Sequence, residues 1–166
     1  MLELAIITIF PLAMLVSASM DIMTMTIPNK VTLALVVGFF VLAPFVGLSW
    51  QEFGLHIAMA VALLLVTMGM FAMGWIGGGD AKLFAATGLW LGYTPQMFEY
   101  AVYASLFGGV LTLAILKLRT IPVLPKMMSY RWLERLHNPN EGVPYGVALA
   151  LAGLLIYPHT IWMGAI

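Results

Sequence analysis

The chain has 166 residues, of which 63% are hydrophobic and 8% are charged, and its mean hydropathy is +1.03. This composition excludes an ordinary soluble domain and is typical of an integral membrane protein. The net charge is zero and there is no cysteine, so we expect no nucleic-acid partner, disulfide framework, thiolate nucleophile or cysteine-based zinc site.

Six apolar stretches predict six transmembrane helices. A helix needs about 20 residues to cross a hydrocarbon layer of about 30 Å. The first stretch ends in Ser17-Ala18-Ser19, like a cleavable signal, but Glu3 replaces the usual basic region and further apolar stretches follow, so we expect a retained helix. The sequence therefore predicts an all-α polytopic protein with one membrane domain over residues 1–166. The predicted spans are 3–20, 31–48, 53–75, 81–93, 96–118 and 143–162.

The charged residues predict the orientation of these spans. All seven lysines and arginines fall in or beside the first, third and fifth connections, whereas Glu3, Glu52 and Glu99 fall at the opposite ends. Basic connections stay in the cytoplasm. Both termini are therefore predicted to be non-cytoplasmic.

The connection 119–142 is much longer than the others and is predicted to be a cytoplasmic loop. Met128, Trp132 and Leu136 recur in it at every fourth residue, while the basic residues fall mostly elsewhere around the helix. This pattern favours an interfacial amphipathic helix that lies on anionic lipid headgroups.

Two aspartates are predicted at the cytoplasmic ends of spans. Asp21 follows the first span, and Asp80 precedes the fourth, directly after Gly77, Gly78 and Gly79. The fourth span has 13 residues, about 20 Å of helix, so Asp80 is predicted to lie about 10 Å below the cytoplasmic surface. Carboxylates at such depth are costly and indicate a functional site. The glycines allow a substrate backbone to approach closely.

Each aspartate alone has a structural interpretation, Asp80 as a helix N-cap and Asp21 as an interfacial residue at a helix end. As a close pair they cannot both ionise easily, and such a pair can activate water and polarise a peptide carbonyl, as in aspartic proteases. His56, His137 and His159 are predicted to lie elsewhere, so we expect no histidine metal site or serine–histidine pair beside them. No metal or other cofactor is expected.

The segments around both aspartates resemble a known family, the type IV prepilin peptidases, which are GxGD-type aspartyl membrane proteases. The resemblance rests on Asp21 followed after five residues by Ile27-Pro28-Asn29, on Gly77-Gly78-Gly79-Asp80 followed by Ala81-Lys82-Leu83, and on Val143-Pro144-Tyr145-Gly146. It implies that Asp21 and Asp80 are catalytic. Pro28 and Asn29 shape the catalytic loop or simply begin the second helix. The other supporting residues it implies are Gly77, Gly78, Gly79, Pro144 and Tyr145.

The resemblance also implies the reaction and its location. Members remove the short, charged cytoplasmic leader of prepilin-like proteins, cutting after a glycine ahead of the apolar helix, in the bacterial cytoplasmic (inner) membrane. Membrane lipid and other pilus-assembly proteins are further expected partners. The chain lacks the paired cysteine motifs of long members and resembles the short form of tight-adherence, Flp-type pili, so N-methyltransferase activity is not expected.

Two other functions are compatible with the residues. An ion- or proton-coupled transporter or channel subunit would bind its cation with intramembrane carboxylates, although the sequence has no convincing internal repeat. A catalytically inactive pilus-assembly scaffold would keep the motifs without the activity.

Overall fold

The computed structural model describes residues 1–122 and 130–165. Helices make up 81% of the structure and the described residues contain no strand, which confirms the predicted all-α class. Short 3-10 segments, Ala43–Phe45 and Tyr157–His159, extend two of the α-helices. In chain order the α-helices are α1 (Leu2–Thr24), α2 (Asn29–Leu42), α3 (Trp50–Ala72), α4 (Gly78–Leu91), α5 (Pro95–Arg119), α6 (Arg131–His137), α7 (Tyr145–Ile156) and α8 (Ile161–Gly164).

Four helical segments of the described chain are apolar and long enough to cross a membrane, as expected of an integral membrane protein. They are α1, α3, α5 and Tyr145–Gly164, which contains α7 and α8. The segment Asn29–Phe45 is apolar but shorter, and α4 has 14 residues, about 21 Å of helix. The predicted second and fourth spans are therefore helices, but both are shorter than a crossing of about 30 Å requires.

The short helix α4 lies inside the helical bundle. Nine of its 14 residues are buried, and it packs against α2, α3 and α7. The fully buried Trp90 donates its Nε1–H to the backbone oxygen of Leu35 in α2 at 2.9 Å. Trp162 donates to the backbone oxygen of Trp90 at 2.7 Å. The neighbouring helices therefore set the position of α4 and of its first turn, which carries Asp80.

Helix α1 continues beyond its predicted end at residue 20. It ends at Thr24 because Met25 adopts a left-handed conformation, with φ of 54°, and donates its N–H to the backbone oxygen of Asp21 at 2.8 Å. Asp21 therefore lies in the last turn of α1 rather than after the helix. The next residues lead to Pro28, which is the N-cap of α2.

The long connection contains the seven-residue helix α6, which packs against α1 and α5. Its buried side chains are Leu133 and Leu136, whereas Trp132 is 42% exposed. The predicted apolar face thus shares only Leu136 with the packed face, and Met128 lies outside the described residues. Contact of α6 with lipid headgroups stays a prediction.

Candidate active site

Asp21 and Asp80 come from different helices and line the same cavity, which has a volume of about 810 Å³. Asp21 reaches it from the last turn of α1 and Asp80 from the first turn of α4. The remaining walls come from α3, α5, α7 and the connections that precede α4 and α7. The lining side chains include Thr67, Phe84 of α4, Ala104, Thr112 and Leu149.

Asp21 is held by the start of α7. Its side chain is only 5% exposed, and its Oδ2 accepts the backbone N–H of Gly146 at 2.7 Å. Gly146 is the second residue of α7, where backbone N–H groups have no partner inside the helix and the helix dipole favours an anion. A Cβ atom on Gly146 would lie 2.8 Å from Oδ2, so this close approach requires glycine.

Asp80 is the third residue of α4, and the N-cap of that helix is Gly77. The interpretation of Asp80 as an N-cap is therefore wrong, because the helix begins three residues earlier than the apolar pattern indicates. The Asp80 carboxylate lies close to Gly77. A Cβ atom on Gly77 would lie 2.7 Å from Asp80 Oδ2, so this glycine makes room for the carboxylate.

Ile27 connects the two halves of the site. It is 7% exposed and packs between the first turns of α4 and α7. A Cβ atom on Gly79 would lie 3.2 Å from Ile27 Cβ, and one on Gly146 would lie 2.7 Å from Ile27 Cδ1. Sequence reasoning quoted Ile27 within a motif but gave it no role. The available signal was an apolar residue in the first connection, directly ahead of Pro28.

Pro28 and Asn29 begin α2 and lie outside the lining of the aspartate cavity. The amide oxygen of Asn29 accepts a hydrogen bond from Lys82 Nζ at 3.0 Å, which links the first turns of α2 and α4. Gly78 also lies outside the lining and faces the ring of Phe71. These three residues therefore support the surrounding backbone without touching either carboxylate.

The segment before α7 forms one wall of the cavity. Pro144 is the fully buried N-cap of α7, and Tyr145 lines the cavity while its ring lies against Gly108 of α5. Glu141, Gly142 and Val143 line the cavity as well. Sequence reasoning missed Glu141, which adds a third carboxylate to the lining. The described lining residues include no lysine or arginine.

The chemistry of the cavity depends on its carboxylates and backbone N–H groups. Within residues 1–122 and 130–165, no three side chains of the His, Cys, Asp or Glu type come together as a metal site. His56 is buried elsewhere, with Nδ1 at 2.8 Å from the backbone oxygen of Leu89. Two carboxylates that line one cavity can perform general acid and base catalysis on a bound water and an amide.

Comparison with known proteins places the chain in a family. Searches of the curated proteins and of the solved structures found no match. A sequence model described as the type IV leader peptidase family matches residues 8–115, which is more than half of the chain and includes Asp21, Gly77, Gly79 and Asp80. The chain therefore belongs to the type IV leader peptidase family.

Proposed function

We propose that the protein is an intramembrane aspartyl endopeptidase that removes the leader of prepilin-like substrates, with Asp21 and Asp80 as its catalytic pair. The observation that carries the proposal is the shared cavity: a member of a leader peptidase family has two aspartates, from the ends of two different helices, lining one pocket. Carboxylates at such positions are rare unless they serve a function.

The proposed mechanism uses one ionised and one protonated carboxyl group. The ionised carboxylate takes a proton from water, whose oxygen attacks the scissile carbonyl, while the protonated group donates to the carbonyl oxygen. The tetrahedral intermediate then collapses, the C–N bond breaks, and a proton passes to the leaving nitrogen. Because the two groups titrate as a coupled pair, neither proton is assigned to Asp21 or Asp80.

The position of the pair suits a substrate cut where its apolar helix leaves the membrane. Asp21 lies near one end of the long apolar helix α1, and Asp80 lies in the first turn of α4, a helix of 14 residues and about 21 Å. The pair is therefore near one membrane surface. The basic residues of the connections favour the cytoplasmic surface of a bacterial inner membrane, with six spans in which α2 and α4 are short. Both termini are then non-cytoplasmic.

The charge of the cavity favours a basic leader. Asp21, Asp80 and Glu141 all line the cavity, and Glu141 is exposed at its rim. A cationic side chain near the scissile bond would be attracted to this surface, whereas an acidic leader would be repelled. The motifs resemble those of short peptidases of tight-adherence pili, so pilins of that type and other assembly proteins are the proposed partners.

Cleavage by carboxylate variants tests the proposal. A panel of tight-adherence prepilins is co-expressed with the parent protein, Asp21→Asn, Asp80→Asn and the control Glu99→Gln, which removes an exposed carboxylate of α5. Leader removal is followed by gel shift and N-terminal sequencing. We expect cleavage by the parent and the control only. Cleavage by either aspartate variant removes that residue from the mechanism, and transport by a cleavage-inactive parent would favour the transporter alternative.

A further inference from the structure

We propose that Arg119 is a positioning residue of the cavity, holding the segment 136–146 so that the N–H of Gly146 meets Asp21. The importance of this role for catalysis rests on the proposed function. Residue 119 lies beyond the family match, which ends at residue 115, and nothing in its sequence context suggests a role in the site.

Arg119 is the last residue of α5, and its guanidinium makes three hydrogen bonds to backbone oxygens. Its Nε donates to Leu136 at 2.9 Å, and its Nη2 donates to Glu141 at 3.0 Å and to Gly142 at 2.9 Å. The first acceptor is in the last turn of α6, where carbonyl groups lack helical partners and a cation is favoured.

These acceptors lie on the two sides of a tight turn. Inside the turn, the N–H of Glu141 donates to the backbone oxygen of Asn138 at 3.1 Å, and the N–H of Asn140 donates to Asn138 Oδ1 at 3.0 Å. Arg119 therefore joins the residue before the turn to the residues after it. Its hydrogen bonds fix where the chain leaves the turn.

The chain leaves that turn directly into the cavity wall. Glu141 and Gly142, whose oxygens Arg119 binds, line the cavity together with both aspartates. Four residues after Gly142, the N–H of Gly146 donates to Asp21. The intervening path is short and contains the buried Pro144, whose ring restricts the backbone. A displacement at Gly142 is therefore transmitted to the hydrogen bond on Asp21.

Only arginine suits this position. Its planar guanidinium presents several N–H groups in a fixed fork, so one side chain can satisfy three carbonyl groups from two directions. Lysine keeps the charge but has a single point of donation on a flexible stem. Lysine at position 119 is therefore expected to retain only part of the arrangement.

The test compares Arg119→Ala and Arg119→Lys with Lys117→Ala, which removes the same charge from the same turn of α5. Purified full-length protein in lipid nanodiscs is assayed for leader cleavage, for hydrogen exchange of the amides around Gly146, and for its melting temperature. A misplacement of about 1 Å in a catalytic geometry costs about 100-fold in rate. We expect kcat to fall about 10- to 100-fold in Arg119→Ala, with faster exchange at Gly146 and partial rescue by added methylguanidinium but not methylammonium. Arg119→Lys should lie between this variant and the parent.

The outcomes separate this inference from the proposed function. Parent-like kcat and parent-like exchange at Gly146 in Arg119→Ala overturn the positioning role, as does an equal loss in Lys117→Ala. A lower melting temperature with unchanged kcat per folded molecule also overturns it. If the parent protein cleaves no prepilin, the proposed function fails, and faster exchange at Gly146 in Arg119→Ala alone would still support the positioning of that segment.

Discussion

Replacing Gly77 with alanine is expected to move the Asp80 carboxylate without straining the backbone. Gly77 has φ of −71° and ψ of 145°, which alanine adopts readily. The new Cβ would lie 2.7 Å from Asp80 Oδ2, whereas ordinary contact begins at 3.4 Å, so the oxygen must shift by about 0.7 Å. Because a displacement of about 1 Å can cost about 100-fold, we expect kcat for leader cleavage to fall about 10- to 100-fold.

Gly78→Ala is the matched control, one residue further along the chain. Its Cβ would lie 3.2 Å from a ring atom of Phe71, a side chain that needs to move by only about 0.2 Å. Gly78 is the first residue of α4 and does not have a positive φ, so alanine fits its backbone and this variant should fold at least as well as the parent. Both variants are assayed in nanodiscs against the same prepilin. Parent-like kcat in Gly77→Ala, or an equal loss in Gly78→Ala, would show that moving the Asp80 carboxylate is not what lowers kcat.

Three further variants test other parts of the site and the core. Gly146→Ala places a Cβ 2.8 Å from Asp21 Oδ2, so kcat should fall about 10- to 100-fold. The control Gly109→Ala, at an exposed position of α5 outside the cavity where a Cβ meets nothing within 4 Å, should retain activity, and equal kcat values would contradict this. Glu141→Gln should raise KM for a basic leader by at most about 5-fold with kcat unchanged, because an exposed ion pair contributes about 0.2–1 kcal/mol. An unchanged KM would exclude a contact between Glu141 and the leader. Trp90→Phe removes the indole donor to the oxygen of Leu35, which keeps only its helical partner, so thermal or denaturant unfolding should show a loss of at least about 0.5–1.5 kcal/mol. Unchanged stability would show that the bond is dispensable.

The location of the two aspartates could be predicted because it depends on simple rules of length and charge. The apolar runs and the sorting of basic residues predicted Asp21 after one span and Asp80 before another, on the same side of the membrane. The short fourth run predicted a helix that does not reach the membrane surface, and α4 is short and largely buried. That the two side chains line one cavity did not follow from the sequence and is seen only in the structure.

The supporting contacts were not predictable because they join distant parts of the chain. Gly146 and Asp21 are 125 residues apart, and no local pattern indicates that the start of α7 meets the end of α1. The end of α1 was misjudged because Met25, rather than glycine or asparagine, takes the left-handed conformation that closes the helix. Arg119 was counted only as a basic residue for topology, since its three acceptors are backbone oxygens that leave no mark in the sequence.

A comparison of single and double variants tests whether Asp21 and Asp80 act as one catalytic unit. Cleavage of a purified prepilin is measured for the parent, Asp21→Asn, Asp80→Asn and the double variant in nanodiscs, with melting temperatures to show that each is folded. Residues that act as a unit are strongly non-additive. We expect each single variant to lose as much activity as the double variant. Additive losses, or substantial cleavage by either folded single variant, would contradict it.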